Sequence, residues 1–215
     1  GKQLLLGEAL VCHGTEQRVP LVQRSAHAEA HRDAAPYLPL VQIRLHRRTL
    51  RKLQLTDIDG KRGRIDLTIP TLMEYIEICK KYGKHCVLEL KNQFKAGDVY
   101  KIASMIEKAG YLEHVTFISF ALKNLIHLRR RYPQQPAQFL IKDWDDRVLE
   151  VLEKYDLGLD IYYKSATAEN VRKVHALGQE YNVWTVNEAV DGEALVEMGV
   201  DFITTNILEG TVKAE

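Results

Sequence analysis

The sequence predicts an α/β fold: a parallel sheet closed as a TIM-type (β/α) barrel. Two observations carry that reading. From Pro70 onward, strand-like runs alternate with helical ones about every 20 to 28 residues, the spacing of βα units. Polar residues gather at the C-terminal ends of those runs: Glu89 and Lys91, Ser119, Lys142, Lys164, Asn187, Thr205 and Asn206. In (β/α) barrels that end is the active face. A doubly wound sheet is the competing fold, but no glycine-rich phosphate loop follows any strand.

The elements follow in order. Pro70-Thr71-Leu72-Met73-Glu74 starts a helix, with Thr71 as N-cap and Glu74 closing a capping box. Leu72, Tyr75, Ile76 and Cys79 repeat on one face, and Gly83 ends it. Cys86 to Lys91 is a buried strand. Asp98 opens the next helix, with Val99, Ile102, Ala103 and Ile106 on one face and Gly110 beyond its end. Val115 to Ser119 is a strand, with Ser119 as cap of the helix that runs to Tyr132 and Pro133. Gln138 to Ile141 is a strand and Val148 to Tyr155 a helix. Leu157 to Tyr163 is a strand and Thr167 to Tyr181 a helix. Val183 to Asn187 is a strand, Asp191 caps a short helix that Gly199 ends, and Asp201 to Thr205 is the last strand.

The first third reads differently. Gly7 to Leu53 has no clean period of 2 or 3.6, carries four of the eight histidines, and holds the basic run Arg44 to Lys52. Residues 1–49 are therefore an atypical N-terminal segment and 50–215 the barrel portion.

Bulk composition narrows the function. The chain has 215 residues, 46% hydrophobic and 27% charged, enough for one sizeable core. A net charge of +1 points to no nucleic-acid partner. Cys12, Cys79 and Cys86 are too widely spaced for a metal motif or a disulfide framework, which favours a reducing compartment. No apolar run reaches the roughly 18 residues of a membrane span, and the first ten residues lack the length of a secretory signal. A cytoplasmic protein is the expectation.

Glu89 and Lys91 are the sharpest signal. Two residues apart on a strand, their side chains share one face. A carboxylate and an ammonium at the end of a buried strand are costly unless they serve a partner such as a metal or a phosphate.

At this point the residues match a family. Ile69-Pro70-Thr71-Leu72-Met73-Glu74-Tyr75 followed by Leu88-Glu89-Leu90-Lys91 resembles the helix start and the "IELK" strand of the glycerophosphodiester phosphodiesterases. Ile118-Ser119-Phe120, then Arg129 to Pro133, then Val183-Trp184-Thr185-Val186-Asn187, then Gly199 to Asn206 follow in that family's order. Asn206 stands where the family has aspartate. The resemblance runs from about Leu50 to Asn206.

The resemblance implies a (β/α)8 barrel that hydrolyses glycerophosphodiesters to an alcohol and sn-glycerol 3-phosphate. It also implies a divalent metal, Ca²⁺ or Mg²⁺, and a histidine pair as acid and base. On it, Glu89 is a metal ligand, Lys91 neutralises the phosphate, Trp184 walls the glycerol subsite, and Asn187 lies with the substrate-binding residues. The family's "HRG…ENT", "ELD" and "HD" pieces are not found before Pro70, and His31-Arg32-Asp33 is a distant echo. The first third therefore reads as degenerate, truncated or frame-shifted. His13, His31 and His46 are the remaining candidates for catalytic histidines, and weak or absent activity is the expectation. The alternative is a non-catalytic barrel that binds phosphate or phospholipid headgroups.

Overall fold

The computed structural model describes the strands Leu10–His13 (β1) and Leu21–Arg24 (β2) and all of residues 70–206. The remaining strands are β3 (Cys86–Glu89), β4 (Val115–Ser119), β5 (Ala137–Ile141), β6 (Gly158–Tyr162), β7 (Tyr181–Trp184) and β8 (Phe202–Thr205). Helices alternate with them: α1 (Leu72–Lys81), α2 (Ala96–Lys108), α3 (Leu122–Arg131), α4 (Arg147–Tyr155), α5 (Ala168–Ala176) and α6 (Ala189–Met198).

β3 to β8 pair in sequence order and are all parallel. The sheet closes as a barrel through the first two strands. β2 lies parallel to β8, while β1 runs antiparallel to both β2 and β3. The predicted barrel is thus present, with one reversed strand at its seam. The aperiodic reading of residues 7–53 misses β1 and β2, because four residues each give alternation too little room to register. Part of the 1–49 segment therefore lies in the same sheet as the rest.

Strand alternation sorts side chains between two environments. Cys86, Leu88, Val115, Phe117, Leu159, Ile161, Tyr181, Val183 and Ile203 face the helices and join Leu72, Ile76, Ile102, Ile106, Leu125, Leu128 and Val174 in one core. Each such side chain contributes roughly 1.5–3 kcal/mol on burial. The intervening positions face the lumen, where Val87, Ile118 and Leu140 form an apolar cluster with Trp184 and Phe202. Below it the lumen is polar. Asn182 Nδ2 donates to Gln138 Oε1 (3.2 Å), and Gln138 Nε2 donates to Glu180 Oε2 (3.2 Å). Gly158 sits beside this relay; a Cβ there would lie 3.0 Å from Gln138 Cγ and 3.1 Å from the Glu180 carbonyl oxygen.

Local signals account for most boundaries. The Thr71 N–H donates to Glu74 Oε2 (2.7 Å) and the Glu74 N–H to Thr71 Oγ1 (3.2 Å), which is the predicted capping box. Other starts differ. α2 begins at Ala96 and α6 at Ala189, so Asp98 and Asp191 lie in first turns, where they meet the helix dipole instead of capping a free N–H. α5 stops at Ala176, well before Tyr181, because the chain turns through Gly178 at φ +73°. Tyr181 then opens β7, fully buried. Behind the sheet, half-buried Arg129 ties two connections together by donating to the carbonyls of Pro133 (2.9 Å) in one and of Tyr155 (3.0 Å) and Asp156 in the other. Among the described residues no helix is long and apolar enough to cross a membrane.

Candidate active site

The C-terminal ends of β3, β4, β5, β6 and β7 frame one mouth. Glu89 is the last residue of β3 and is 7% exposed. It lies on the same strand face as Val87, which packs into the lumen cluster, so its carboxylate belongs to the lumen and not to the helix layer. The regular strand stops there, two residues before the predicted end. The ladder continues for one bond more, from Leu90 N–H to the Ile118 carbonyl (2.8 Å). Leu90 is buried against the helices, and Lys91 follows on the opposite side, exposed at the mouth.

The segment carrying Lys91 is pinned from behind by two buried polar side chains. Ser119 Oγ donates to the Leu90 carbonyl (2.6 Å) and accepts from the Ala121 N–H (3.1 Å). Asn124, fully buried in α3, donates through Nδ2 to the carbonyls of Leu90 (3.1 Å) and Asn92 (2.8 Å) and to Ser119 Oγ (3.0 Å). Its Oδ1 accepts from the Phe94 N–H (2.9 Å). Ser119 is therefore a loop anchor. The helix cap falls at Ala121 instead, which corrects the sequence reading of Ser119. Asn124 escapes the sequence reading altogether; a polar residue on the buried face of α3, beside Leu125 and Leu128, is the signal that marks it.

Opposite Glu89 stands an aromatic wall. Trp184, at the end of β7, meets Phe120 edge-on at 5.7 Å and Tyr162 at 5.4 Å between ring centroids. Its Nε1 donates to the Asp160 carbonyl (3.3 Å), which fixes the indole. Phe120 and Tyr162 join the wall only because β4 and β6 bring them there; their types alone do not distinguish them from core. Asn187 lies just beyond β7, and its Oδ1 accepts from the Asn206 N–H (3.1 Å), joining the ends of β7 and β8. Lys142 and Lys164 are exposed just past β5 and β6. The loop after β5 is braced by Asp146, which accepts from Trp144 Nε1 (3.0 Å) and Lys173 Nζ (2.9 Å). Beside it, hydrogen bonds from Arg147 hold the Asp145 carboxyl at about 2.

The histidines divide. His13 is the last residue of β1, while His31 and His46 lie outside the described residues. The four in the described C-terminal portion are away from the mouth. A 2.9 Å hydrogen bond joins His85 Nε2 to Thr116 Oγ1 at the opposite end of the barrel, and another of 2.9 Å joins His175 Nε2 to Asp201. His114 precedes β4, and His127 lies within α3. Among the described residues, no group of three or more His, Cys, Asp or Glu gathers in a way that could hold a metal ion. Glu89 offers one carboxylate of the type a hard cation takes, and by themselves the described residues do not complete such a site.

A family model described as the glycerophosphoryl diester phosphodiesterase family matches residues 14–209. A glycerophosphodiester phosphodiesterase of Bacillus subtilis (strain 168) is 27% identical over 158 residues, 66% of this chain and 52% of the relative. The chain thus spans about half the length of that curated relative. A glycerophosphodiester phosphodiesterase structure from Parabacteroides distasonis superposes with a TM-score of 0.61 at 24% identity, covering 92% of this chain and 78% of its own. An Oleispira antarctica phosphodiesterase in complex with the product sn-glycerol-3-phosphate superposes at 0.54 with 24% identity, covering 65% and 58%. These structures share the fold. With the match spanning β2 to β8, the chain belongs to the glycerophosphoryl diester phosphodiesterase family.

Proposed function

We propose that this chain hydrolyses a small-molecule glycerophosphodiester to an alcohol and sn-glycerol 3-phosphate. One observation carries the reading: Glu89 lies on the lumen face at the end of β3, with Lys91 beyond it and the Trp184 wall across the mouth. The Lys91 ammonium balances the charge of the diester phosphate and of the oxygens that gain charge as water attacks phosphorus. The apolar wall of Trp184, Phe120 and Tyr162 suits the carbon face of glycerol. The bond to the alcohol oxygen then breaks, and that oxygen needs a proton. The histidines that would move protons are sought among His13, His31 and His46. The product complex of the Oleispira phosphodiesterase supports the choice of substrate. A divalent ion, Ca²⁺ or Mg²⁺, held in part by Glu89, is included in the proposal on the chemistry of the carboxylate. A cytoplasmic setting belongs to the same reading, supported by the wide spacing of Cys12, Cys79 and Cys86, which makes no disulfide framework.

The second reading, a non-catalytic phosphate- or headgroup-binding barrel, is favoured by the distance of His85, His114, His127 and His175 from the mouth. One experiment separates the two. Release of sn-glycerol 3-phosphate from glycerophosphocholine is followed with Ca²⁺ or Mg²⁺ and with chelator, beside calorimetric binding of sn-glycerol 3-phosphate. Metal-dependent release abolished by Glu89→Ala supports the enzyme. Binding without release supports the module, and neither binding nor release rejects both.

A further inference from the structure

Cys79, in the last turns of α1, and Cys86, the first residue of β3, are 2% and 0% exposed. The Cys86 thiol donates to the Lys84 carbonyl (3.9 Å), within the turn that leads back to Cys79. The backbone holds the pair together independently of the sulfurs. The Cys79 carbonyl accepts from the Lys84 N–H (2.9 Å) and from the Tyr111 hydroxyl (3.0 Å), and that hydroxyl also reaches the Lys84 carbonyl (2.7 Å). The turn between the cysteines carries Lys80, Lys81 and Lys84, which keep it polar at the surface. The hydrogen bond from Cys86, which outweighs burial, brings the Cys79 thiol down to about 7. The turn itself is solvated, with Tyr82 62% exposed, and its local opening is the route by which a peroxide would reach the sulfurs.

We propose that Cys79 and Cys86 are a redox modification site, a dithiol that hydroperoxides convert to a reversible disulfide bracing α1 against β3. The Cys79 thiolate attacks one peroxide oxygen, the O–O bond breaks, and hydroxide leaves a sulfenic acid. The Cys86 sulfur attacks that sulfur and displaces its hydroxide, while the Cys86 proton neutralises it. Two thiols and one hydrogen peroxide become one disulfide and two waters. The Lys84 and Tyr111 hydrogen bonds keep the two cysteines neighbours, and the bond forms once side-chain rotation brings the sulfurs to ~2.05 Å. The link closes a short loop and joins the first residue of the strand that ends in Glu89 to the helix before it.

The test treats the full chain with hydrogen peroxide and reads intact mass, then maps peptides without reductant. The expected product has lost two hydrogens, maps to a Cys79–Cys86 cross-link, and returns to the starting mass with dithiothreitol. Its thermal midpoint is about 5 °C above that of the reduced chain. Cys79→Ala and Cys86→Ala each abolish the cross-link, and Cys12→Ala retains it. Mass gains of oxygen without a cross-link, or a cross-link that uses Cys12, overturn the proposal. The wild-type peptide map decides even where a variant fails to fold.

Discussion

Asn124→Ala tests whether the Lys91 segment is held as described. The substitution deletes four hydrogen bonds inside a closed layer. Their loss is unequal. The Leu90 carbonyl keeps its bond from Ser119, and Ser119 keeps its bond with Ala121. The Phe94 N–H and the Asn92 carbonyl lose the partner that Asn124 supplied. A buried polar group left without a partner costs about 1–3 kcal/mol, and Asn92 is close enough to solvent to recover part of its share. The expected cost is therefore about 2–4 kcal/mol, read from denaturant midpoints at an unchanged m-value. Each kcal/mol lowers the thermal midpoint by about 2–4 °C in a chain of this size. A double-mutant cycle with Ser119→Ala should show coupling near 1 kcal/mol, because the two side chains share the Leu90 carbonyl and bond each other. Binding of sn-glycerol 3-phosphate should weaken in parallel as Lys91 loses its fixed platform. A stability loss under about 0.5 kcal/mol, or coupling indistinguishable from zero, would refute the reasoning.

Gly158→Ala should destabilise the chain by about 1–3 kcal/mol, because the new methyl presses on the Glu180 carbonyl and on Gln138; an unchanged urea midpoint would show that the lumen yields freely. His85 gives a pH signature. Desolvation and the neighbouring His114 lower its pKa from 6.5, so the folded chain disfavours the imidazolium. Stability is full above about pH 6.5 and declines as pH falls from there toward the lowered value, since the unfolded chain takes up the proton first. His85→Gln should flatten that acid limb in stability measured across pH; an identical slope would remove His85 as its source. Glu89→Gln should reduce calorimetric Ca²⁺ or Mg²⁺ binding by at least tenfold if the carboxylate is a ligand, and equal affinity would exclude it.

Much of the barrel was readable because periodicity and punctuation agree from Pro70 onward. Thr71 and Glu74 close the predicted capping box, and Leu72, Tyr75, Ile76 and Cys79 are all buried. Reading failed where a signal had two meanings. Asp98 and Asp191 resemble caps yet sit inside first turns, where their charge is equally welcome. Apolar spacing carried the predicted α5 through Gly178 because a helical face and the inward start of β7 look alike over a few residues. Of the candidate site, the sequence marked Glu89 and Trp184 through motifs, and both lie at strand ends on the mouth side. Asn124, Phe120 and Tyr162 act through proximity that only the closed sheet creates. β1 and β2 are too short to announce themselves.

The reversed strand at the seam bears on the order of folding. From β3 to β8 every strand pairs with the next one along the chain, so each step closes a loop of one βα unit. Leu21 against Ile203 joins opposite ends of the polypeptide, and its ordering entropy falls due before any burial offsets it. The parallel run from β3 to β8 should therefore assemble first, as a curled sheet with β3 and β8 as bare edges. The β1–β2 hairpin then docks as a wedge between them. Amide exchange should be slowest in β4 to β6 and faster in β8, where the seam opens without unfolding the rest. Until that wedge is seated, the bare edges are where two copies of this chain would pair by mistake.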